Sequence, residues 1–214
     1  EMESALRRAL PAPGERLTLA EADFVAQGAT TDPVEHPWAG QAAYADLVQR
    51  CTLRGGPAPR AVTLRFSSPT LFRNDGRDQP LPAPELVFGG LLRKWNAFAP
   101  IALPEEALRY AAECVALGRF ALHSRLISFE AADKGAHVGC VGEARYRFLV
   151  GDAYWTRLMT LLAAYAFWCG VGYRTAVGLG QTRVIEEQGS GSWEREDGTV
   201  IADDRAHSFL AQPA

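Results

Sequence analysis

The order of two hydrophobic periodicities between residues 61 and 185 constrains the fold more than any other feature of the chain. Alternating apolar and polar residues predict strands in AVTLRFSSPT, GRFALHSRLISFEA, HVGCVGEARYRFLV and LGQTRVIEE. Apolar residues that recur every three or four positions predict helices in LPAPELVFGGLLRKWNAFAP and DAYWTRLMTLLAAYAFWCG. The order strand, helix, strand, strand, helix, strand predicts an α+β, ferredoxin-like βαββαβ domain, in which one sheet face packs on the helices and the other stays open.

Single residues mark the ends and faces of these elements. Pro84 suits the first turn of the first helix, and Asp152 suits the N-cap of the second. Residues 103–114 predict a further short helix. One face of the first helix is expected to be buried, and it carries Phe88, Leu91, Leu92 and Trp95. Three residues of the third strand are expected to point the same way: Tyr146, Phe148 and Val150.

Four sections are predicted along the chain. Residues 1–30 carry a short helix and one or two strands, which cannot form a stable domain alone and therefore predict the C-terminal part of a first, incomplete ferredoxin-like domain. Residues 31–58, rich in proline and polar residues, predict a linker. Residues 59–186 are expected to form a second, complete ferredoxin-like domain. Residues 187–214 lose periodicity and predict an acidic tail or linker, with one weak strand at Thr199–Ile201.

The distribution of charge says more about binding partners than the net charge does. The formal net charge of −3 argues against a nucleic-acid partner. Residues 51–183, however, carry 16 basic and 10 acidic residues, whereas residues 186–214 carry seven acidic residues and two arginines. A basic body with an acidic end is compatible with nucleic-acid binding. The basic residues are nearly all arginine, which suits bidentate contacts to phosphate.

The cysteines and histidines are scattered, and the chain contains no CxxC motif. This pattern predicts reduced thiols in a cytoplasmic protein, with no disulfide framework, metal site or other cofactor. His36 is expected in the linker and His123 in a strand, and each is more readily structural than catalytic. No apolar run reaches the roughly 20 residues that cross a bilayer, so no membrane partner is expected.

The segment GVGYRTAVGLG places four glycines and Arg174 between the second helix and the last strand. It is not a phosphate-binding P-loop, because GK[ST] is missing, and it is not a dinucleotide fingerprint, because it leads from a helix into a strand. Two interpretations stay open. The glycines either end the helix and turn the chain, or form a nest of backbone N–H groups that faces phosphates. The glycines are Gly170, Gly172, Gly178 and Gly180.

Three arginines in the predicted strands also have two possible interpretations. Arg65, Arg145 and Arg147 alternate with apolar residues, so they could line the open sheet face as a track for phosphates. Equally, they could be ordinary solvated surface residues.

Several segments, in this order, resemble the CRISPR-associated endoribonucleases that process precursor crRNA at its repeats. The resemblance rests on GVGYRTAVGLG, which is similar to the family's GxGxxxxxGxG loop, and on LRFSSPTLFR, a strand that ends in Ser-Pro-Thr. It extends to LPAPELVFGGLLRKWNA, GCVGEARYRFLV and HPWAGQAAY, and covers roughly residues 30–185.

The resemblance implies two ferredoxin-like (RRM-like) domains in tandem, with CRISPR repeat RNA or crRNA as the partner. It further implies metal-independent cleavage, in which the 2′-OH attacks the adjacent phosphate and leaves a 2′,3′-cyclic phosphate and a 5′-OH. The glycine loop then supports RNA contacts, and the implied RNA-binding residues are Gly170, Gly172, Arg174, Gly178, Gly180, Arg183, Arg65, Arg145 and Arg147.

The chain departs from the family at its beginning. EMESALRRAL to FVAQG resembles only the last helix and strand of the first domain, and the segment that usually supplies the catalytic histidine precedes it. The catalytic residue is therefore unknown, and endoribonuclease activity is expected only if that segment supplies it. Two alternatives stay open: a non-catalytic crRNA-binding subunit or fused module that works with other CRISPR-associated proteins, and a ferredoxin-like module for protein or small-molecule interaction.

Overall fold

The computed structural model describes residues 10–19, 22–53, 55–74, 76–128, 136–185, 193–194 and 200–201. The chain divides into two compact units, residues 1–43 and 44–214. In the first unit, β1 (Arg16–Leu19) and β2 (Ala22–Val25) form an antiparallel hairpin, which is part of the strand pattern predicted there. The helix predicted over residues 1–10 lies, apart from its last residue, outside the described residues.

The second unit contains the elements that the hydrophobic periodicities predict, together with a short N-terminal helix and a small hairpin. In chain order the elements are α1 (Tyr44–Val48), β3 (Ala61–Thr70), β4 (Phe72–Asn74), β5 (Arg77–Gln79), α2 (Pro84–Phe98), α3 (Glu106–Cys114), β6 (Val115–Ile127), β7 (His137–Phe148), α4 (Ala153–Cys169) and β8 (Thr182–Ile185). A π-helical turn, Gln49–Leu53, continues α1. The short hairpin of β4 and β5 is an insertion that the sequence patterns did not predict.

The sheet of the second unit has the strand order β6–β7–β3–β8, and every neighbouring pair is antiparallel. With β3, α2, β6, β7, α4 and β8 read as βαββαβ, this is the ferredoxin-like topology, and the predicted fold class is confirmed. β3 lies at the centre, where Leu64 and Phe66 are buried on one face. The sheet therefore has a packed side and an open side.

Aromatic contacts join the packed side to the helices. Phe88 of α2 meets Tyr146 of β7 edge to face at 5.3 Å, and the Tyr146 hydroxyl donates to the Pro82 carbonyl at 2.8 Å. Trp95 lies 5.1 Å from Tyr165 of α4. Each such pair adds about 1 kcal/mol beyond its buried area. The helical face predicted to be buried is buried in the structure: Phe88, Leu91, Leu92 and Trp95.

The predicted helix starts are also confirmed. Pro84 opens α2, and the Asp152 carboxylate accepts the Tyr154 and Trp155 N–H groups at 2.9 and 3.2 Å. The expectation for Val150 is wrong. β7 ends at Phe148, so Val150 lies in the turn that follows and is 51% exposed, while its carbonyl accepts the Tyr110 hydroxyl.

The second unit begins at Tyr44, earlier than the boundary predicted at residue 59. Tyr44 packs edge to face on Trp95 at 5.2 Å, and Leu47 is buried. Arg157 of α4 donates to the carbonyls of Thr52 and Gly56 at 3.2 and 3.0 Å. These contacts join the later part of the predicted linker to the domain.

At the other end of the chain, β9 (Trp193–Glu194) pairs with β10 (Val200–Ile201), which agrees with the weak strand expected there. The other residues of the predicted tail, 187–214, lie outside the described residues. Within the part of the chain that the structure describes, no helix has the length and apolar character that crossing a membrane needs.

Candidate nucleic-acid interface

The glycine loop, Gly170–Gly180, connects α4 to β8. Gly170 ends α4 with a positive φ (66°), which favours glycine, and its N–H donates to the Ala166 carbonyl at 2.9 Å. The other three glycines of the loop also have positive φ, which disfavours any side chain there. A 3-10 turn, Thr175–Val177, lies in the middle of the loop.

The loop is interlocked with the end of β3. The Gly180 N–H donates to the Pro69 carbonyl at 3.0 Å, and the Tyr173 N–H donates to the Leu71 carbonyl at 2.8 Å. The Ser68 hydroxyl accepts the Gln181 N–H at 2.8 Å. The Ser-Ser-Pro-Thr end of β3 and the glycine loop, two separate parts of the family resemblance, are thus direct partners in the structure.

Two of the glycines are required by close backbone approach. A Cβ at Gly180 would lie 1.9 Å from the Val171 carbonyl oxygen, and one at Gly172 would lie 2.3 Å from the Leu71 carbonyl oxygen. Gly178 has no atom within 4 Å of the same position.

Several amides of the loop are already bonded to protein carbonyls, including those of Val171, Tyr173, Gly178 and Gly180. To bind a phosphate, these N–H groups would have to give up the hydrogen bonds that hold the loop in shape. The glycines therefore shape the loop, and its side chains are better placed to contact a ligand.

Lys94 of α2 fixes the loop from the opposite side. Its ammonium donates to the carbonyls of Cys169 and Gly170 at 3.1 and 2.9 Å, and to the Thr175 hydroxyl at 3.2 Å. The carbonyls at a helix end lack intrahelical partners and carry the negative end of the helix dipole, so a cation is favoured there. Burial lowers the pKa of Lys94 from its usual value. Sequence patterns could not identify this residue, because its partners lie about 75 to 81 positions away.

Arg174 is the one non-glycine residue with positive φ (57°) in the described part of the chain. This left-handed conformation costs about 1–2 kcal/mol for a residue with a side chain. The Arg174 guanidinium lies over the Tyr173 ring, 5.4 Å from its centroid, and the guanidinium of Arg73 lies 5.3 Å from the same centroid. The structure thus holds two cationic groups on one aromatic ring beside the loop.

The other predicted arginines lie on the open face of the sheet. Arg65 is opposite Arg183 of β8 on one side and Glu143 of β7 on the other. Arg145 is opposite Thr63, and Arg147 is opposite Ala61. Because cross-strand neighbours share a face, the structure brings these arginines together. Arg119 of β6, which is opposite Arg145, extends the group and was missed by the sequence analysis.

Arg65 is the weakest of these candidates for binding an external anion. Its Nε donates to a Glu143 carboxylate oxygen at 2.7 Å, and Nη2 lies 2.5 Å from the same oxygen. The pair neutralises one positive charge of the open face.

The described histidines each have a separate place in the structure, and none is assigned a catalytic role. His123 lies on exposed β6, opposite Val141, whereas His36 accepts the Trp38 N–H within a turn of the first unit. His137 binds Asp78 of β5 through Nδ1. Among the described residues, no group of three or more His, Cys, Asp or Glu side chains is placed to hold a metal ion.

The sequence profile of the CRISPR-associated endoribonuclease Cas6 family matches residues 64–182. A solved Cas6 product complex is 31% identical, with a TM-score of 0.69, and the match covers 81% of this chain and 67% of that one. A histidine-to-alanine mutant of that Cas6 gives 31% identity, a TM-score of 0.70, and coverage of 87% and 75%. A Cas6 of Thermus thermophilus gives 26% identity, a TM-score of 0.70, and coverage of 85% and 69%. No curated protein sequence matches.

The interlock of loop and strand predicts different effects for two alanine substitutions. Gly180→Ala forces a Cβ onto the Val171 carbonyl at a left-handed position, and we expect a loss of about 3 kcal/mol of unfolding free energy. Gly178→Ala has the left-handed cost alone, about 1 kcal/mol. Urea unfolding of both variants measures the difference, and equal losses would contradict the close-approach argument.

Removal of the Lys94 ammonium is expected to loosen the loop. Lys94→Met keeps the aliphatic stem but leaves two helix-end carbonyls without their donor, which costs about 2 kcal/mol. Thermal unfolding measures the loss, with Arg93→Met, at the neighbouring exposed position, as the control. A Lys94→Met midpoint equal to that of the control would show that the ammonium does not hold the loop.

Proposed function

The chain belongs to the CRISPR-associated endoribonuclease Cas6 family, and from this premise we propose that it holds CRISPR repeat RNA at the glycine loop while that RNA is processed. This chain binds CRISPR repeat RNA and takes part in its processing to crRNA. One observation carries this conclusion: the family match spans residues 64–182, the part that contains both the Ser-Ser-Pro-Thr strand end and the loop it holds. Related Cas6 proteins have been solved as a product complex and as a substrate mimic complex.

The proposed RNA-binding residues fall into two groups: glycines that shape the loop and arginines that contact phosphates. Gly170, Gly172, Gly178 and Gly180 give the loop its shape, and Arg174 reaches a phosphate from it. Arg183, on the open face, is proposed as a second phosphate contact. Secondary contacts come from the rest of the open-face group: Arg65, Arg145 and Arg147.

The proposed reaction needs one proton acceptor, one proton donor and positive charge near the phosphate. The ribose 2′-oxygen forms a bond to the adjacent phosphorus as its proton leaves, and the bond from phosphorus to the 5′-oxygen breaks as that oxygen gains a proton. The products are a 2′,3′-cyclic phosphate and a 5′-OH. Guanidinium groups suit the charge that develops on the phosphate oxygens. A histidine is the expected proton carrier in this family, and no described histidine is assigned that role.

A non-catalytic crRNA-holding subunit is the second candidate, together with other CRISPR-associated proteins as partners. It is favoured by the lack of an assigned proton carrier among the described residues: His123 is exposed on β6, and Nδ1 of His137 is bonded to Asp78. We further propose that the protein acts in the cytoplasm, where a CRISPR transcript is made.

A cleavage assay separates the two candidates. We expect the full-length protein, incubated with 5′-labelled repeat RNA in EDTA, to give a product that ends in a cyclic phosphate. Acid treatment opens a cyclic phosphate and shifts the product on a gel, which identifies the end. Tight binding with no cleavage would support the crRNA-holding subunit instead, and failure of the folded protein to bind at low salt would contradict both.

Replacement of Arg174 tests the proposed contact at the loop. Arg174→Ala is expected to weaken binding of repeat RNA and to reduce the slope of log K against log salt by about one unit, because one phosphate contact is lost. Arg109→Ala, which removes an exposed arginine from α3, is the matched control and should leave the slope unchanged. An Arg174→Ala slope equal to that of the wild type would contradict the contact.

A further inference from the structure

Arg73 is a basic residue next to the glycine loop that neither the sequence analysis nor the family match assigns. It lies on β4, in the small hairpin inserted between β3 and α2, and its side chain is exposed. Its Nη1 donates to the Tyr173 hydroxyl at 3.2 Å, and its guanidinium lies over the Tyr173 ring. Tyr173 is itself fixed, since its N–H donates to the Leu71 carbonyl.

The acid directly opposite Arg73 in the hairpin is already bonded to another residue. Asp78 of β5 is the cross-strand partner of Arg73, and directly opposite residues of a hairpin share one face. The Asp78 carboxylate instead binds Nδ1 of His137, at the start of β7. Among the described residues, Arg73 contacts Tyr173, which has no formal charge. The positive charge of Arg73 is therefore preserved beside the loop.

Arg73 and Arg174 share the Tyr173 ring. Their guanidinium carbons lie 5.3 and 5.4 Å from its centroid, so the two groups are no farther apart than the sum of these distances. Like charges repel, and Arg174 also adopts a strained backbone conformation. Cation–π attraction offsets part of the repulsion. A bound anion near both guanidinium groups would lower the repulsion further.

We propose that Arg73, Tyr173 and Arg174 form a binding site for a backbone phosphodiester of the repeat RNA, with Arg73 as the second cation and Tyr173 as the residue that positions it. This site rests on the proposed function of the loop. The guanidinium fork matches phosphate oxygens, and Arg73 uses only Nη1 on the tyrosine, which leaves its other donors for the ligand. Because both guanidinium groups lie over the Tyr173 ring, the ring is not available to stack on a base. The group recognised in this site is therefore a phosphate.

The test compares repeat RNA with a scrambled RNA of equal length across a series of salt concentrations. Arg73→Ala is expected to bind both RNAs about tenfold more weakly at low salt, with a salt slope reduced by about one unit for each. Arg77→Ala, on the same hairpin, is the matched control and should behave as the wild type.

The other outcomes distinguish this site from the loop itself. If Arg174→Ala weakens binding and Arg73→Ala does not, the Arg73 site is wrong and the loop contact stands. If Arg73→Ala weakens binding of the repeat alone, the contact is to a base and the phosphate assignment is wrong. If the wild type binds neither RNA at low salt, the proposed function fails together with this site.

A double-mutant cycle tests the positioning role of Tyr173. Tyr173→Phe keeps the ring but removes the hydroxyl that holds Nη1. We expect it to lower the logarithm of the RNA affinity by about half as much as Arg73→Ala does. The double variant should then bind like Arg73→Ala alone, because the hydroxyl acts through that arginine. Additive losses would show that the hydroxyl contacts RNA independently. Equal thermal midpoints of the variants exclude unfolding as the cause.

The His137–Asp78 pair gives a further check that does not touch the site. His137→Gln releases the Asp78 carboxylate toward Arg73, and we expect weaker binding of both RNAs. Adding Asp78→Asn to His137→Gln removes that carboxylate charge and should restore binding. If the double variant binds as weakly as His137→Gln, the Asp78 carboxylate does not compete with RNA for Arg73, and this part of the proposal is wrong.

Discussion

The structure of the candidate site depends on the backbone interlock between the glycine loop and the end of β3. The Gly180 and Tyr173 N–H groups bond to the carbonyls of Pro69 and Leu71, and the Gln181 N–H bonds to the Ser68 hydroxyl. Side chains at Gly172 or Gly180 would overlap carbonyl oxygens. The contact distance is so short that only glycine permits it. Lys94 completes the arrangement by satisfying the carbonyls at the end of α4.

In this interlock the backbone amides and glycines set the conformation of the loop, and the side chains remain available for binding. Since several loop amides are bonded to the protein itself, we propose that side chains supply the positive charge that contacts RNA. The loop holds Tyr173 and Arg174 at a fixed place, and the neighbouring hairpin brings Arg73 to the same ring. A rigid frame of this kind reduces the entropy that arginine side chains lose when they bind a phosphate. The open face of the sheet adds further arginines, of which Arg65 is neutralised by Glu143.

The fold could be predicted from the sequence where burial produces a periodic pattern. The strand Ala61–Thr70, the buried face of α2 and the Asp152 cap follow from local rules. Lys94, the Arg73–Tyr173 contact and the His137–Asp78 pair could not be predicted, since each joins residues 59 to 100 positions apart. The predicted linker, residues 31–58, contains the short helix α1, whose Tyr44 packs on Trp95 and Tyr165. A composition rich in proline and polar residues does not predict that helix. Tertiary packing outweighs local composition there.

The central claim is that RNA lies against the side chains of the glycine loop. Ultraviolet cross-linking of the full-length protein to repeat RNA, followed by peptide mapping, tests it most directly, because Tyr173 offers an aromatic ring at the loop. The account predicts that the main cross-linked peptide contains Tyr173 and that the cross-link is lost in Tyr173→Leu. Cross-links confined to the open face of the sheet, on peptides from β6 and β7, would contradict it.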